Sequence, residues 1–203
     1  MDAKRMAGNY EITCSILIGD KEIVLGENLQ NTDGVPYMCA YCESDDLFSR
    51  YYDAVGSEDY VEIVETFGAR VKEQAEKTRS ELQQERINGV EERVITAQDC
   101  QAITHADDLN NKVVVIKADI LRPEYRSIGH QLKLCTGGFG ASPNSRGSAC
   151  FCTDLRTGKE SRFERWDILG VLSEAALPQW AKEGLASIKQ AEVNKHAKSK
   201  EDR

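Results

Sequence analysis

Cysteine is the residue type with the widest chemical repertoire in this chain of 203 residues, which has seven, at positions 14, 39, 42, 100, 135, 150 and 152. Cys39-Ala40-Tyr41-Cys42 has the C-x-x-C spacing of a zinc-ligating pair, and Cys150-Phe151-Cys152 offers two more thiols toward a four-thiolate site. The spacing of the second pair is wrong for a zinc knuckle, however, and both pairs lie in apolar, strand-like runs. In a strand Cys150 and Cys152 share a face, where small apolar side chains fill a core. Redox chemistry of the thioredoxin kind needs the motif at a helix start, where the amide dipole lowers the thiol pKa, and Cys39 does not open a helix. Buried free thiols are therefore expected, with zinc ligation at 39, 42, 150 and 152 as the alternative, and no cofactor. An odd cysteine count without the density of a disulfide scaffold fits a reducing cytoplasm. So does Met1 to Gly8, which has two basic residues but no apolar stretch behind them.

The second chemical candidate is the segment Gly137-Gly138-Phe139-Gly140-Ala141-Ser142-Pro143-Asn144-Ser145-Arg146-Gly147. Its glycines permit close backbone approach to a ligand, its amides could cradle a phosphate, and Phe139 and Arg146 could stack and pair. It matches neither the P-loop nor the dinucleotide-binding pattern. The other reading is an irregular inter-strand loop in which Gly and Asn take left-handed angles. Around it in sequence lie Arg122, Arg126, Lys133, Arg146, Arg156, Lys159, Arg162 and Arg165, interleaved with Tyr125, Phe139, Phe163 and Trp166. Arginine among aromatics suits phosphate contact with base stacking, and equally a protein interface or a solvated hairpin. If Arg162 to Trp166 is extended, Arg162, Glu164 and Trp166 face one way and Phe163 and Arg165 the other.

Catalytic patterns are weak. His105, His130 and His196 lack metal spacing, no serine has a nucleophile-elbow setting, and the carboxylates fall mainly on helix faces or in loops. The expectation is a binding protein, not an enzyme.

Charge is distributed unevenly. Residues 1–111 carry 23 Asp and Glu against 10 Lys and Arg (net −13), whereas residues 112–203 carry 11 against 16 (net +5), giving −8 overall. An acidic surface can approach a cationic, nucleic-acid-binding one, and a basic surface can approach phosphates. On the acidic side Asp45, Asp46, Glu62 and Glu65 are the candidate contacts. No apolar run is long enough to span a bilayer, so no membrane partner is expected.

The elements that must position these residues are an α+β set. Tyr10–Ile18 and Glu22–Leu25, joined at Gly19-Asp20, read as a hairpin, with Tyr37–Cys42 a third strand. Ser57 is expected to cap a helix running to about Gln84 or Arg86, its apolar stripe formed by Tyr60, Ile63, Val64, Phe67, Val71, Ala75, Thr78 and Leu82. Thr96–Asp99 reads as a short capped helix, 112–118 as the clearest strand and Gln131–Thr136 as another. Ser148–Thr153 and Glu160–Trp166 read as a second hairpin, followed by a helix from Gln179 to about Ala191. The expected fold is a mainly antiparallel sheet built from two hairpins and a central strand, packed by the long helix and the C-terminal helix. One domain is expected over 10–191, acidic to 111 and basic from 112, between a flexible 1–9 and a flexible polar 192–203.

Several strings in the chain are specific: Leu121-Arg122-Pro123-Glu124-Tyr125-Arg126, Gln131-Leu132, Gly137-Gly138-Phe139-Gly140, Asn144-Ser145-Arg146-Gly147, Thr157-Gly158, and Trp166-Asp167 through Leu177-Pro178-Gln179-Trp180-Ala181. Together with Tyr10-Glu11-Ile12 and Ile18 to Gly26, they resemble a family of small proteins carried by conjugative elements and prophages of gut Firmicutes, over most of residues 10–188. That group includes an anti-CRISPR protein that inhibits type II-A Cas9. The resemblance implies a stoichiometric inhibitor in the bacterial cytoplasm, with Cas9 and its guide RNA as partner. The alternative is a nucleic-acid-binding accessory protein of a mobile element, contacting DNA or RNA through the basic half. The cysteines at 39, 42, 150 and 152 depart from the family's pattern.

Overall fold

The computed structural model describes residues 4–32, 34–44, 48–84 and 93–201. They form two antiparallel sheets with helices, so the expected α+β class holds, with the strands divided between the sheets. The single domain expected over 10–191 is instead two compact units, Met1–Arg86 and Ile87–Arg203. The acidic stretch before Asn111 therefore belongs to the second unit. Recounted by unit, the first holds 18 acidic and 9 basic residues (net −9) and the second 16 and 17 (net +1). The positive half of the sequence is thus close to neutral as a folded body.

In the first unit five strands follow chain order: β1 (Met6–Ala7), β2 (Tyr10–Ile18), β3 (Lys21–Glu27), β4 (Tyr37–Ser44) and β5 (Ser49–Ser57). The β2–β3 hairpin turns in two residues. Gly19 sits at φ +59°, and a β-carbon there would lie 2.3 Å from the Thr78 hydroxyl, so this position needs glycine for both backbone and space. Helix α1 (Tyr60–Gln84) lies on the face that presents Ile23, Leu25 and Cys39, against which Ile63, Phe67 and Val71 pack. The opposite face buries Val24, Met38, Ala40 and Cys42 with Ala7, Tyr10 and Ile12.

The α1 stripe turns polar as it runs. Gln74 and Thr78 are buried, and Gln74 donates to the Ile18 carbonyl (3.2 Å) and Asp20 Oδ1 (2.9 Å), tying the helix to the hairpin turn. Tyr60 and Val64, expected on the buried stripe, are exposed. Ser57 completes β5 instead of beginning the helix, which Asp59 caps by accepting from the Val61 amide (2.7 Å).

The second unit has the order β10 (Ile168–Leu172), β6 (Val113–Ile116), β7 (Leu132–Gly137), β8 (Ala149–Asp154) and β9 (Glu160–Glu164). Strand β6 is buried on both faces, which explains its unbroken Val-Val-Val-Ile. Val113 and Val115 face α3 (Gln179–Glu201) through Trp180, Ala181 and Leu185. Gly184 lets that helix press onto β8, since a β-carbon there would lie 1.8 Å from the Leu155 carbonyl. Val114 and Ile116 face a second core of Leu109, Cys135, Ala141, Cys150, Cys152 and Ile168, which is closed by loops.

Three local expectations change. Thr96–Asp99 is a turn and not a helix, closed by Asp99 Oδ2 accepting from the Thr96 amide and hydroxyl (2.8 Å each). Gln131 ends the short helix α2 (Ile128–Gln131) instead of opening a strand. Its buried amide bonds the Ile95 amide (2.7 Å), the Ile95 carbonyl (3.1 Å) and the Ile116 carbonyl (3.0 Å). Helix α3 continues past Ala191 to Glu201, a stretch of Ala, Lys, Glu and similar residues with no Pro or Gly to stop it.

Candidate functional site

The glycine-rich segment is a cover nailed to the sheet. A β-carbon on Gly138 would lie 2.3 Å from the Ala149 carbonyl oxygen, and one on Gly140 would lie 2.0 Å from that of Ser148. These glycines let one backbone lie on another, so their occurrence is explained by packing and not by a ligand. The loop is further held by Leu109 N–H to the Ala141 carbonyl (2.8 Å), Asn144 N–H to the His105 carbonyl (2.9 Å) and His105 Nε2–H to the Ser145 carbonyl (3.0 Å). Arg165 is the fastener: it donates to the carbonyls of Gly140, Thr104 (2.7 Å) and Asp107 (2.7 Å). Its side chain serves the loops, leaving little of it for a phosphate.

What this cover shows to solvent is aromatic and cationic. Phe139 lies over Gly147 and is 77% exposed, and Arg146 is exposed; Trp166, in the turn that follows β9, is 64% exposed. On the α3-facing side of the sheet, beyond the part that the helix core occupies, Phe151 is 53% exposed and stands opposite Arg162. The alternation expected for 162–164 is present: Arg162 pairs with Glu164 (2.5 Å) while Phe163 packs into the core.

Other basic candidates are spread around this unit. Arg122 is exposed, and Arg126 donates to the Leu121 carbonyl (2.9 Å). Tyr125 packs edge-on against His130 with ring centroids 4.9 Å apart. Arg156 and Lys159 flank the β8–β9 turn, and Arg156 donates to His130 Nδ1 (3.2 Å), which fixes that imidazole as neutral with its proton on Nε2. Burial, then the charges of Arg156 and Lys133, pull His130 down to about 4. Asp154 orders the same turn, accepting from the Arg156 (2.9 Å) and Thr157 (2.8 Å) amides and from the Lys133 ammonium in a buried ion pair. Arg156, Thr157, Glu160, Gly184 and Ser187 line a groove of about 370 Å³ between this hairpin and α3.

The cysteines do not form a zinc site. Cys39 and Cys42 sit three apart on β4 and so point to opposite faces, into different cores. Cys135, Cys150 and Cys152 do share one buried core. Hydrogen bonds from Cys150 and Cys152 pull the Cys135 thiol down, and the same interactions push its two neighbours up, so the trio gives up one proton at most. Among the described residues no three His, Cys, Asp or Glu side chains are placed to hold a metal ion.

In the first unit most of the described cations are engaged internally, Arg50 and Arg79 being exposed. Arg5 grips Glu22 with both terminal nitrogens (2.5 and 2.7 Å) and also donates to the Tyr51 hydroxyl (3.1 Å). The Glu22 hydrogen bonds hold Arg5 far above its ordinary pKa, and Arg5 holds Glu22 below its own. Lys4 pairs with Glu11 (2.7 Å), Lys72 with Glu76 (3.9 Å), and Lys77 with Asp20 (3.5 Å) and Glu81 (3.6 Å). Lys21 and Arg70 lie over the Tyr41 ring, 4.6 and 4.8 Å from its centroid. Glu65 and Glu73 on α1 remain exposed without an ion-pair partner among the described residues, while Glu62 accepts from the Ser57 hydroxyl (2.5 Å). Asp45 and Asp46 lie outside the described residues.

Comparison with protein-family models, with curated proteins and with solved structures finds no match for this chain. No helix among the described residues is long and apolar enough to cross a membrane.

Sequence reasoning named Phe139, Arg146, Arg162 and Trp166, all of which are exposed, among the arginines and aromatics suited to contact, but it passed over Phe151. Phe151 was legible: it lies between two cysteines assigned to the core, and strand alternation turns it the other way. Arg165 gave no such signal, because its acceptors are carbonyls in loops 25 to 61 residues away in sequence.

Proposed function

We propose that this chain acts by occupancy: its acidic first unit covers a cationic, nucleic-acid-binding surface of a bacterial nuclease, with type II-A Cas9 and its guide RNA as the target that the family resemblance implies. The observation that supports this best is the fate of the charges in that unit. Most of its described cations (Lys4, Arg5, Lys21, Arg70, Lys72 and Lys77) are turned toward their own carboxylates, carbonyls or rings, with Arg50 and Arg79 exposed, whereas carboxylates such as Glu65 and Glu73 are left over, within a net charge of −9. A surplus of that kind can stand in for phosphate in a positively charged channel, and its attraction is screened over about 8 Å at physiological salt. Binding rather than catalysis is part of the same proposal. The test is target cleavage by purified Cas9–guide complexes, with the chain added before or after DNA. Suppression at near-equimolar dose, weakened by Glu65→Lys with Glu73→Lys, supports the proposal; undiminished cleavage across type II-A orthologues overturns it.

A second reading, nucleic-acid binding by the other unit, is favoured by exposed aromatic and cationic side chains on each side of its sheet, Phe139 and Arg146 on the cover and Phe151 opposite Arg162 on the α3-facing side. Stacking on such rings contributes about 1–3 kcal/mol per base. Five engaged cations give a log–log salt slope of about −4 to −5 on duplex DNA. Gel shifts that vanish in Phe139→Ala with Arg146→Ala support this reading, and shifts absent even at low salt remove it.

A further inference from the structure

Strands at the edge of a sheet template the pairing of other chains unless they are guarded, and the edges in this protein are guarded unequally. In the second unit β9 alternates charges at Glu160, Arg162 and Glu164, and β10 is closed by a bridge in which Gln101 and Val171 exchange two bonds of 2.9 Å. In the first unit β5 carries Arg50 and Asp53 and is bent at a register shift, where Asp53 takes φ +50°. The opposite edge is different. β1 covers only Tyr10 and Glu11 of β2, and one further bond runs from the Ile12 amide to the Arg5 carbonyl (2.8 Å). Beyond it Thr13-Cys14-Ser15-Ile16-Leu17-Ile18 has no charge and no proline, and among the described residues no strand covers it.

The hairpin geometry says which groups are open. A two-residue turn makes Ile18–Lys21 a hydrogen-bonded pair, so Ile16–Ile23 is bonded, while Leu17–Glu22 and Ser15–Val24 are not. The amides and carbonyls of Ser15 and Leu17 therefore point outward, and among the described residues no backbone group meets them. The side chains beside them are apolar and accessible: Ile16 and Cys14 on the α1 side of the sheet, Leu17 on the other, 49% exposed.

We infer that the Thr13–Ile18 edge is a docking site for an extended segment of a partner protein, with alternating apolar residues flanked by Lys or Arg. The backbone supplies two donors and two acceptors for such a strand, and Ile16 and Leu17 supply an apolar contact on each face. The charge selects the partner: a unit of net −9 repels a second copy of itself and attracts a cationic strand. This deepens the occupancy proposal by naming the element that docks and the chemistry that it meets.

Amide hydrogen exchange of the full chain tests it, with a synthetic Lys-Val-Thr-Val-Thr-Val-Lys peptide and its Glu-flanked counterpart as probes. The Lys peptide should slow exchange at Ser15 and Leu17 about tenfold at low salt, and the Glu peptide should not. Ser15→Pro removes an outward amide without touching the β2–β3 ladder, and Leu17→Lys adds the missing guard; either should abolish the slowing. If the proline variant does not fold, the lysine variant decides. No slowing by the Lys peptide, or equal slowing by both, overturns the inference. So does a dimer in sedimentation that Leu17→Lys dissolves, since the edge then belongs to a second copy. Slowing at Ser15 and Leu17 without nuclease inhibition sinks the Cas9 target alone, and nuclease inhibition that survives both variants sinks the edge alone.

Discussion

Cys135 stands opposite Cys152 across the β7–β8 ladder as a non-hydrogen-bonded pair, because its amide bonds the Lys112 carbonyl (2.9 Å) and its carbonyl the Asn111 amide (2.8 Å), both away from β8. Such pairs bring α-carbons to about 4.5 Å, within the range that a disulfide spans. Diamide, which takes up the two hydrogens released when the thiols join, should therefore link Cys135 to Cys152 in preference to Cys150. The reaction should be slow, since all three thiols are buried and exposed only by opening of the sheet. Peptide mapping by mass spectrometry reads the product, and a majority link to Cys150 would refute the pairing.

The buried ion pair between Lys133 and Asp154 makes a second prediction. Removing one partner leaves an uncompensated charge in the interior, at a cost of about 3–5 kcal/mol. Asp154→Asn keeps the Oδ1 acceptor that the Arg156 and Thr157 amides use, so it isolates the charge from the turn. It should destabilise the second unit severely, and Lys133→Met in the same chain should recover much of the loss. Urea unfolding followed by tryptophan fluorescence reports on this unit alone, because Trp166 and Trp180 both belong to it.

His130 should make the same unit sensitive to mild acid. Its folded pKa of about 4 lies below the unfolded value near 6.5, with burial as the main cause and the Arg156 charge next. Between those values the unfolded chain takes up a proton and the folded chain does not. Stability is thus full above about pH 6.5 and falls as pH drops toward 4. Asp154, lowered in the fold, adds a separate loss only below its ordinary carboxylate range. A His130→Gln variant whose stability still falls equally between pH 6.5 and 4 would assign the effect elsewhere.

The parts of the fold legible in the sequence are those whose signal is local. The β2–β3 hairpin shows in Gly19-Asp20 between apolar runs, and β6 in four consecutive β-branched residues. β5 and β10 were missed because their pairing sets them more than their composition does: β5 ends in the residue that looks like a helix cap, and β10 contains Gly170, whose missing β-carbon makes room for the Gln101 carbonyl 2.5 Å away. The charge division misled for a related reason. It cut the chain at Lys112, whereas the fold counts Asp99, Asp107 and Asp108 with the basic half, and Asp107 even lends its carbonyl to Arg165. Of the candidate site, the exposed Phe139 and Arg146 could be read locally, but the clamp made by Arg165 could not.

The glycine-rich cover separates packing from binding in one pair of variants. Gly140→Ala would push a β-carbon to 2.0 Å from the Ser148 carbonyl oxygen, a backbone neighbour that cannot swing aside, so the loop must lift from β8. We expect a loss of about 1–3 kcal/mol, typical of an overpacked position, with faster amide exchange at Leu109, which donates to the Ala141 carbonyl, and at Ala141, which donates to that of Gly138. Phe139→Ala removes a ring that is 77% exposed and should change stability by only about 0.5 kcal/mol. If the cover's outer surface contacts nucleic acid, that second variant alone should weaken binding to single-stranded oligonucleotides, by about 1–3 kcal/mol for each base that stacked on it. Stability losses of equal size in the two variants would mean that Phe139 holds the loop down as Gly140 does, and would remove its ring from the list of contacts available to a partner.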